Sequence, residues 1–61
     1  MIDVFTCTWH SNQRIVILKK TEGLGYQFHL MTGKTNKEAY QKSAKELRRL
    51  AKLCDERAKD D

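Results

Sequence analysis

One long amphipathic helix over residues 36 to 59 constrains this chain more than any other feature. Thr35-Asn36-Lys37-Glu38 has the T-x-x-E pattern of a capping box, in which the Thr hydroxyl and the Glu carboxylate bind backbone N–H groups of the first turn. The residues that follow favour helix and include no Gly or Pro. Small or apolar residues recur there at steps of 3 and 4, and with Leu50 they predict the packing side of the helix: Tyr40, Ala44, Leu47, Ala51, Cys54 and Ala58.

The first half of the chain has the composition of strands separated by turns. β-branched and aromatic residues predict strands over about residues 2–9, 14–20 and 24–31, and polar segments at residues 10–13 and 21–23 predict the turns. The predicted fold is therefore α+β: a three-stranded antiparallel β-meander followed by one long C-terminal helix packed on one face (β-β-β-α). The whole chain, residues 1–61, is predicted to form a single small domain.

The helix is expected to cover the more apolar face of this sheet. Alternation along the strands assigns six residues to the covered face, namely Phe5, Cys7, Trp9, Tyr26, Phe28 and Leu30. The outer face would carry Thr6, Thr8, Gln27 and His29. Leu47 is expected under the sheet, near Phe28 or Trp9. The apolar run from Ile15 to Leu18 suits a central strand covered on both faces, or one whose outer face meets a partner.

The predicted order of elements resembles the small sheet-reading DNA-binding domains of phage integrase arms and plant AP2 proteins. The resemblance covers the topology and the Thr35-x-x-Glu38-Ala39 helix opening. It implies a β-β-β-α fold that reads DNA, and no residue role is transferred from it. The basic residues that such a sheet would carry are here Arg14, Lys19 and Lys20.

Charge is unevenly distributed along the chain. The net charge is +4, but residues 1–53 hold ten Lys or Arg against four Asp or Glu, and the last eight residues hold two against four. A basic body favours acidic partners, first nucleic acid, then an anionic membrane or an acidic protein surface. The predicted partner is nucleic acid, with DNA preferred to RNA, or an acidic protein surface, and no membrane. The cations opposite the apolar side of the helix are either a solvated face or phosphate contacts. The predicted nucleic-acid-binding set comprises Arg14, Lys19, Lys20, Lys42, Lys45, Arg48, Arg49 and Lys52.

The helix is longer than the strands that it packs on. Twenty-four residues of helix span roughly 36 Å, whereas eight residues of strand span about 25 Å. The C-terminal turns should therefore project, leaving four residues without cover: Leu50, Leu53, Cys54 and Arg57. They predict a homodimer seam, with a scattered surface Leu53 as the alternative. Asp60 and Asp61 oppose the helix dipole, so the last turn is expected to fray.

Two function hypotheses follow, and both describe binding modules. The first is a small basic nucleic-acid-binding module, a regulatory or accessory DNA-binding protein that forms a homodimer. The alternative is a protein–protein interaction module that acts as a small regulator or inhibitor of a larger protein, using its apolar second strand and the region of Leu50 and Leu53. Apolar exposure would favour the second hypothesis, and salt-dependent binding the first.

Enzymatic and metal-dependent functions are not expected. Gly33-Lys34-Thr35 matches the end of a phosphate-binding loop, but Phe28 stands where that motif requires Gly. Cys7 and His10 have half of a zinc spacing without a second pair. No metal or cofactor is predicted. Cys7 and Cys54 are interpreted as small buried apolar residues in a reducing compartment. Without a signal-peptide pattern or a membrane-spanning run, the predicted location is the cytoplasm.

Overall fold

The computed structural model describes residues 1–10 and 12–59. Within them the chain forms β1 (Ile2–Trp9), β2 (Gln13–Lys20), β3 (Tyr26–Gly33) and then α1 (Asn36–Lys59). The strands form one antiparallel sheet in the order β1-β2-β3, and α1 packs along β3 and, less extensively, along β2. The predicted β-β-β-α meander is confirmed. Ser11 of the first predicted turn, and the two terminal residues expected to fray, Asp60 and Asp61, lie outside the described residues.

The turn between β2 and β3 is longer than predicted. Gly23 and Gly25 have φ angles of 64° and 70°, in the left-handed region that glycine adopts without a Cβ clash. The backbone N–H of Gly25 donates to the carbonyl of Glu22 at 3.2 Å, and Leu24 between the two glycines is exposed. The turn therefore extends through Gly25, and β3 occupies residues 26–33 instead of 24–31.

A β-bulge in β3 fixes the sheet to the helix. Ile17 pairs with His29 and Ile15 pairs with Thr32, so two residues of β3 stand opposite Val16 alone. The backbone N–H of Met31, in the bulge, donates to Ser43 Oγ at 3.1 Å. The hydroxyl of α1 thus satisfies a donor that the ladder leaves unpaired, and this hydrogen bond connects strand and helix.

The helix covers a different face of β1 from the one predicted. Cross-strand partners share a face, and Thr6 pairs with Val16 while Thr8 pairs with Arg14, which binds Asn36 at the start of α1. Thr6 and Thr8 therefore lie on the covered face with Phe28 and Leu30, and Phe5, Cys7 and Trp9 lie on the open face. The assignment of β3 residues was right and that of β1 was wrong. Alternation within each strand does not fix the register between strands, which here pairs Trp9 with Gln13.

The buried side of the helix is also rotated from the predicted one. Ala39 and Ser43 are 0% and 3% exposed, whereas Leu47 and Leu50 are each 41% exposed. On a helical projection this buried side lies roughly 75° from the predicted one. The cause is close approach at Gly33, where an added Cβ would lie 2.6 Å from the backbone nitrogen of Ala39. Only small residues fit this contact, so Leu47 is not under the sheet as expected, although it lines a groove with Phe28.

Candidate nucleic-acid interface and apolar groove

The start of α1 is capped as the sequence predicts, with one difference. The backbone N–H of Glu38 donates to Thr35 Oγ1 at 3.1 Å, as in a capping box. The Glu38 carboxylate accepts from the backbone N–H of Lys34 at 3.3 Å, one residue before the capping threonine. The Lys42 ammonium, 3.1 Å from this carboxylate, and the Lys34 N–H hold the pKa of Glu38 below its ordinary value. Lys42 is thus partly neutralised within the helix.

The helix cations fall into a paired and an unpaired group. Lys42 pairs with Glu38, and Arg49 pairs with Glu46, whose pKa is lowered by the hydrogen bond from that guanidinium. The other helix cations form no ion pair with any described residue, and three of them stand within two turns of one another: Lys45, Arg48 and Lys52. On a helical projection these three lie within roughly 45° of the direction opposite the buried side. They form a row about 10.5 Å long, which we call the outer basic row.

Arg14 is partly buried and makes its hydrogen bonds within the protein, at the start of the helix. Its Nε donates to Asn36 Oδ1 at 2.8 Å, its Nη1 to Thr8 Oγ1 at 2.8 Å and its Nη2 to Thr6 Oγ1 at 3.4 Å. All three acceptors are neutral, so the charge is retained while three of the five N–H donors are occupied. The guanidinium therefore joins β1, β2 and α1, and it stands apart from the outer basic row.

The other two sheet cations point to opposite faces. Lys19 lies on the open face, where its cross-strand partner in β1 is Asp3. Lys20 lies on the helix-covered face, with its ammonium 5.6 Å from the centre of the Tyr26 ring, a cation–π contact. The eight predicted phosphate-binding residues are therefore not one surface. The structure brings together those of the helix and separates Arg14, Lys19 and Lys20 from them.

An apolar groove opens where α1 and the sheet diverge. The helix and the sheet separate beyond the contact of Ala39 and Ser43 with β3, and the groove between them has a volume of about 480 Å³. Its lining includes Leu18, Phe28, Leu30, Met31, Leu47 and Leu50, with Glu46 beside them. Phe28 is exposed, as are Val4 and Tyr26 on the same face of the sheet. The groove is therefore an apolar surface that the chain itself leaves uncovered.

The last turns of α1 extend beyond the sheet. Every described residue from Ala51 onward is exposed, and Leu53, Cys54, Arg57 and Ala58 form a shallow hollow on the helix surface. Leu53 and Arg57 continue the buried side of the helix beyond the sheet. Cys54 is an exposed thiol, which corrects the expectation that it is buried, and Cys7 is partly buried on the open face of the sheet.

The open face of the sheet has an aromatic cluster that the sequence did not reveal. The Trp9 indole meets the His29 imidazole edge to face at 5.8 Å and the His10 imidazole at 5.1 Å. His10 has a φ of 58°, an uncommon value for a residue with a side chain. Trp9 was assigned to the helix-packed core and His29 to a separate surface. The strand registers place Trp9 of β1 and His29 of β3 on the same face of the sheet. The sequence does not give these registers, so it could not show that the two rings are in contact.

Comparisons with known protein families, curated proteins and solved structures find no match to this chain. Among residues 1–10 and 12–59, no group of three or more His, Cys, Asp or Glu side chains is arranged to hold a metal ion. The same residues include no helix that is long and apolar enough to span a membrane.

Proposed function

We propose that this protein is a small nucleic-acid-binding module that contacts phosphates through the outer basic row. The observation that carries the proposal is the unpaired state of Lys45, Arg48 and Lys52 on one side of α1. In residues 1–53 the acidic groups stand beside cations. Glu22 pairs with the N-terminus, Glu38 with Lys42 and Glu46 with Arg49, and Asp3 is opposite Lys19 in the sheet. These carboxylates therefore do not cancel the positive potential of the outer basic row. Beyond them, Asp55 stands three residues after Lys52 on the same side of the helix.

The proposed role is regulatory or accessory, in the cytoplasm, with DNA as the favoured polymer. Lys42 and Arg49 flank the row and can add to its field, although each shares its charge with a glutamate. Arg14 supports the site indirectly, because it fixes the start of the helix that carries the row. Three phosphate contacts would give a slope of about −2.7 for log affinity against log salt on duplex DNA.

A salt titration tests this proposal. Wild-type binding to duplex DNA, single-stranded DNA and RNA is measured by fluorescence anisotropy at several salt concentrations, and compared with the triple variant Lys45→Gln, Arg48→Gln, Lys52→Gln. The triple variant should lose affinity and most of the salt slope. The matched control, Lys19→Gln, Lys20→Gln, Lys34→Gln, removes the same charge from outside the helix and should retain most of the slope. Equal losses in both variants, or no salt-sensitive binding by wild type, would contradict the proposal.

The apolar groove favours a second candidate function, a protein-interaction module acting as a small regulator or inhibitor. A surface that includes Phe28, Leu47 and Leu50 is more apolar than nucleic-acid binding requires. We also propose that the chain self-associates as a homodimer through the region of Leu50, Leu53, Cys54 and Arg57. Capture from lysate by wild type, but not by Phe28→Lys, would support a different protein as partner, including one with an acidic surface. Capture that Phe28→Lys leaves unchanged would contradict use of the groove.

A further inference from the structure

The groove and the projecting end of α1 are adjacent uncovered surfaces on one side of the same helix. Glu46 and Leu50 line the groove, and Leu53 and Arg57 line the hollow beyond the sheet. The four positions recur at steps of 4, 3 and 4 residues, the spacing of a helix–helix seam. The groove is an apolar concave surface with nothing packed in it, and the helix end has apolar side chains that are exposed to solvent.

We propose that the groove of one copy receives the helix end of a second copy, in a dimer with two-fold symmetry. This inference rests on the self-association proposed above and specifies its contacts. The two α1 helices run antiparallel, with Leu50 of each copy against Leu53 of the other. Because a two-fold axis repeats every contact, each groove is filled and each helix end is covered.

Charge complementarity supports the antiparallel alignment. The midpoint between Leu50 and Leu53 is also the midpoint between Glu46 and Arg57. One alignment therefore places Leu50 beside Leu53 and, at both ends of the seam, Glu46 of one copy beside Arg57 of the other. An in-register parallel pairing would instead bring Glu46 against Glu46 and Arg57 against Arg57, which repel. Glu46 already accepts from Arg49 of its own chain, and the second arginine would share that carboxylate.

The exposed area of the chain matches what such a dimer buries. The accessible surface is 5124 Å². A compact monomer of this mass is expected to expose about 4,100 Å². The excess is about 1,000 Å² per chain, close to the ~800 Å² that each partner contributes to a standard interface. The molecule is correspondingly elongated, with extents of 45 × 27 × 15 Å. A second copy has one groove and one helix end, so a dimer can cover both surfaces of each chain. A partner of different sequence need not cover both.

Complementary charge reversals test the alignment. By sedimentation equilibrium without nucleic acid, wild type should be a dimer, and Glu46→Arg and Arg57→Glu should each raise the dimer dissociation constant by about tenfold or more. An equimolar mixture of the two variants should form a one-to-one heterodimer. In that mixture both reciprocal pairs are restored, since one chain has Arg and the other Glu at both positions.

The control variants carry the same charge changes on the side of α1 away from the sheet. Arg48→Glu and Asp55→Arg should each dimerise as wild type does, and circular dichroism should show wild-type helix content in all four variants. Heterodimer formation restricted to the Glu46 and Arg57 pair would support the proposal. A monomeric wild type at every concentration would overturn both the self-association and this interface. A dimer that neither reversal weakens would overturn this interface alone, and nucleic-acid affinity is read in a separate experiment.

Discussion

The indole of Trp9 and the imidazole of His29 stand on the two outer strands, yet their ring centres are 5.8 Å apart. Backbones two strands apart are separated by about 9.6 Å, so both side chains must lean over the central strand. Ile15 and Ile17 of that strand face the open side and are only 4% and 2% exposed. The two rings, with Phe5 beside Ile17, therefore cover the central strand on the open face, as the helix covers it on the opposite face.

Replacing Trp9 with alanine should destabilise the protein by about 2 to 3 kcal/mol, less than for a fully buried aromatic because the indole is partly exposed. The loss should appear as a lower urea midpoint, with Ile15 and Ile17 gaining hydration. Tyr26→Ala, on the helix-covered face, removes an exposed ring and should cost about 1 kcal/mol or less. Equal losses for both variants would mean that Trp9 does not cover the central strand.

Gly33 should tolerate no side chain. An alanine Cβ there would lie 2.6 Å from the backbone nitrogen of Ala39, so α1 must move away from β3. Gly33→Ala should cost about 1 to 3 kcal/mol, measured by thermal or urea unfolding. Gly23→Asn is the control: Gly23 has a φ of 64° with no atom near its Cβ position, and asparagine accepts that conformation. If Gly33→Ala is as stable as Gly23→Asn, the helix does not approach β3 as closely as the structure indicates.

These two sites show what sequence reasoning reached and what it missed. Strand alternation, turn composition and the capping box are local properties, and they correctly predicted three strands and a helix over residues 36–59. The pairing of β1 with β2 depends on the conformation of a short loop, which composition does not fix. A signal for the helix contact was present in the small residues Gly33, Ala39 and Ser43. It was outweighed by the larger apolar residues of the neighbouring stripe, which the structure leaves partly exposed.

The candidate site was predicted in its residues but not in its arrangement. Side-chain charge is legible in a sequence, so the three members of the outer basic row were among the residues predicted to bind phosphate. Their pairing depends on spacing to a specific glutamate: Lys42 follows Glu38 by four residues, and Arg49 follows Glu46 by three. The spacing of those two pairs can be read from the sequence, but it does not by itself leave Lys52 unpaired, because Asp55 and Glu56 follow Lys52 by three and four residues. Only the structure shows that Lys52 pairs with neither. The groove could not be read from the sequence either, since it depends on where the helix diverges from the sheet.

Acid should weaken the start of the helix. The hydrogen bond from Lys42, then that from the Lys34 backbone, lowers the pKa of Glu38 below its ordinary value of 4.5. Because this pKa is lower in the folded than in the unfolded chain, the carboxylate's contribution to stability is fully present above about pH 4.5. It is lost as the pH falls through the folded-state pKa. Helix content by circular dichroism should therefore decrease in this acidic range.

A carboxyl-resolved NMR titration assigns the acid effect to this residue. In wild type, Glu38 should titrate below 4.5, and in Lys42→Gln its pKa should move toward that value. Glu46 offers a comparison in the same experiment, since the guanidinium of Arg49 also lowers its pKa and Lys42→Gln leaves that pair intact. A Glu38 pKa that does not respond to Lys42→Gln would show that the ion pair is absent in solution.

Arg14 should behave as a structural residue and not as a phosphate contact. Its guanidinium donates to Asn36, Thr8 and Thr6, so Arg14→Gln removes the link between the sheet and the start of α1. We expect a loss of about 1 to 2 kcal/mol in urea unfolding, because hydrogen bonds from a charged donor are among the stronger ones and this group is only partly buried. Lys20→Gln, which removes a cation from a contact with Tyr26, should change stability by about 0.5 kcal/mol or less.

DNA binding gives a second test of the role of Arg14. Under conditions where Arg14→Gln and Lys52→Gln are both folded, the salt slope for DNA should fall less for Arg14→Gln than for Lys52→Gln. If Arg14→Gln instead leaves stability unchanged and flattens the slope as strongly as Lys52→Gln, its guanidinium exchanges these neutral partners for phosphate when nucleic acid binds.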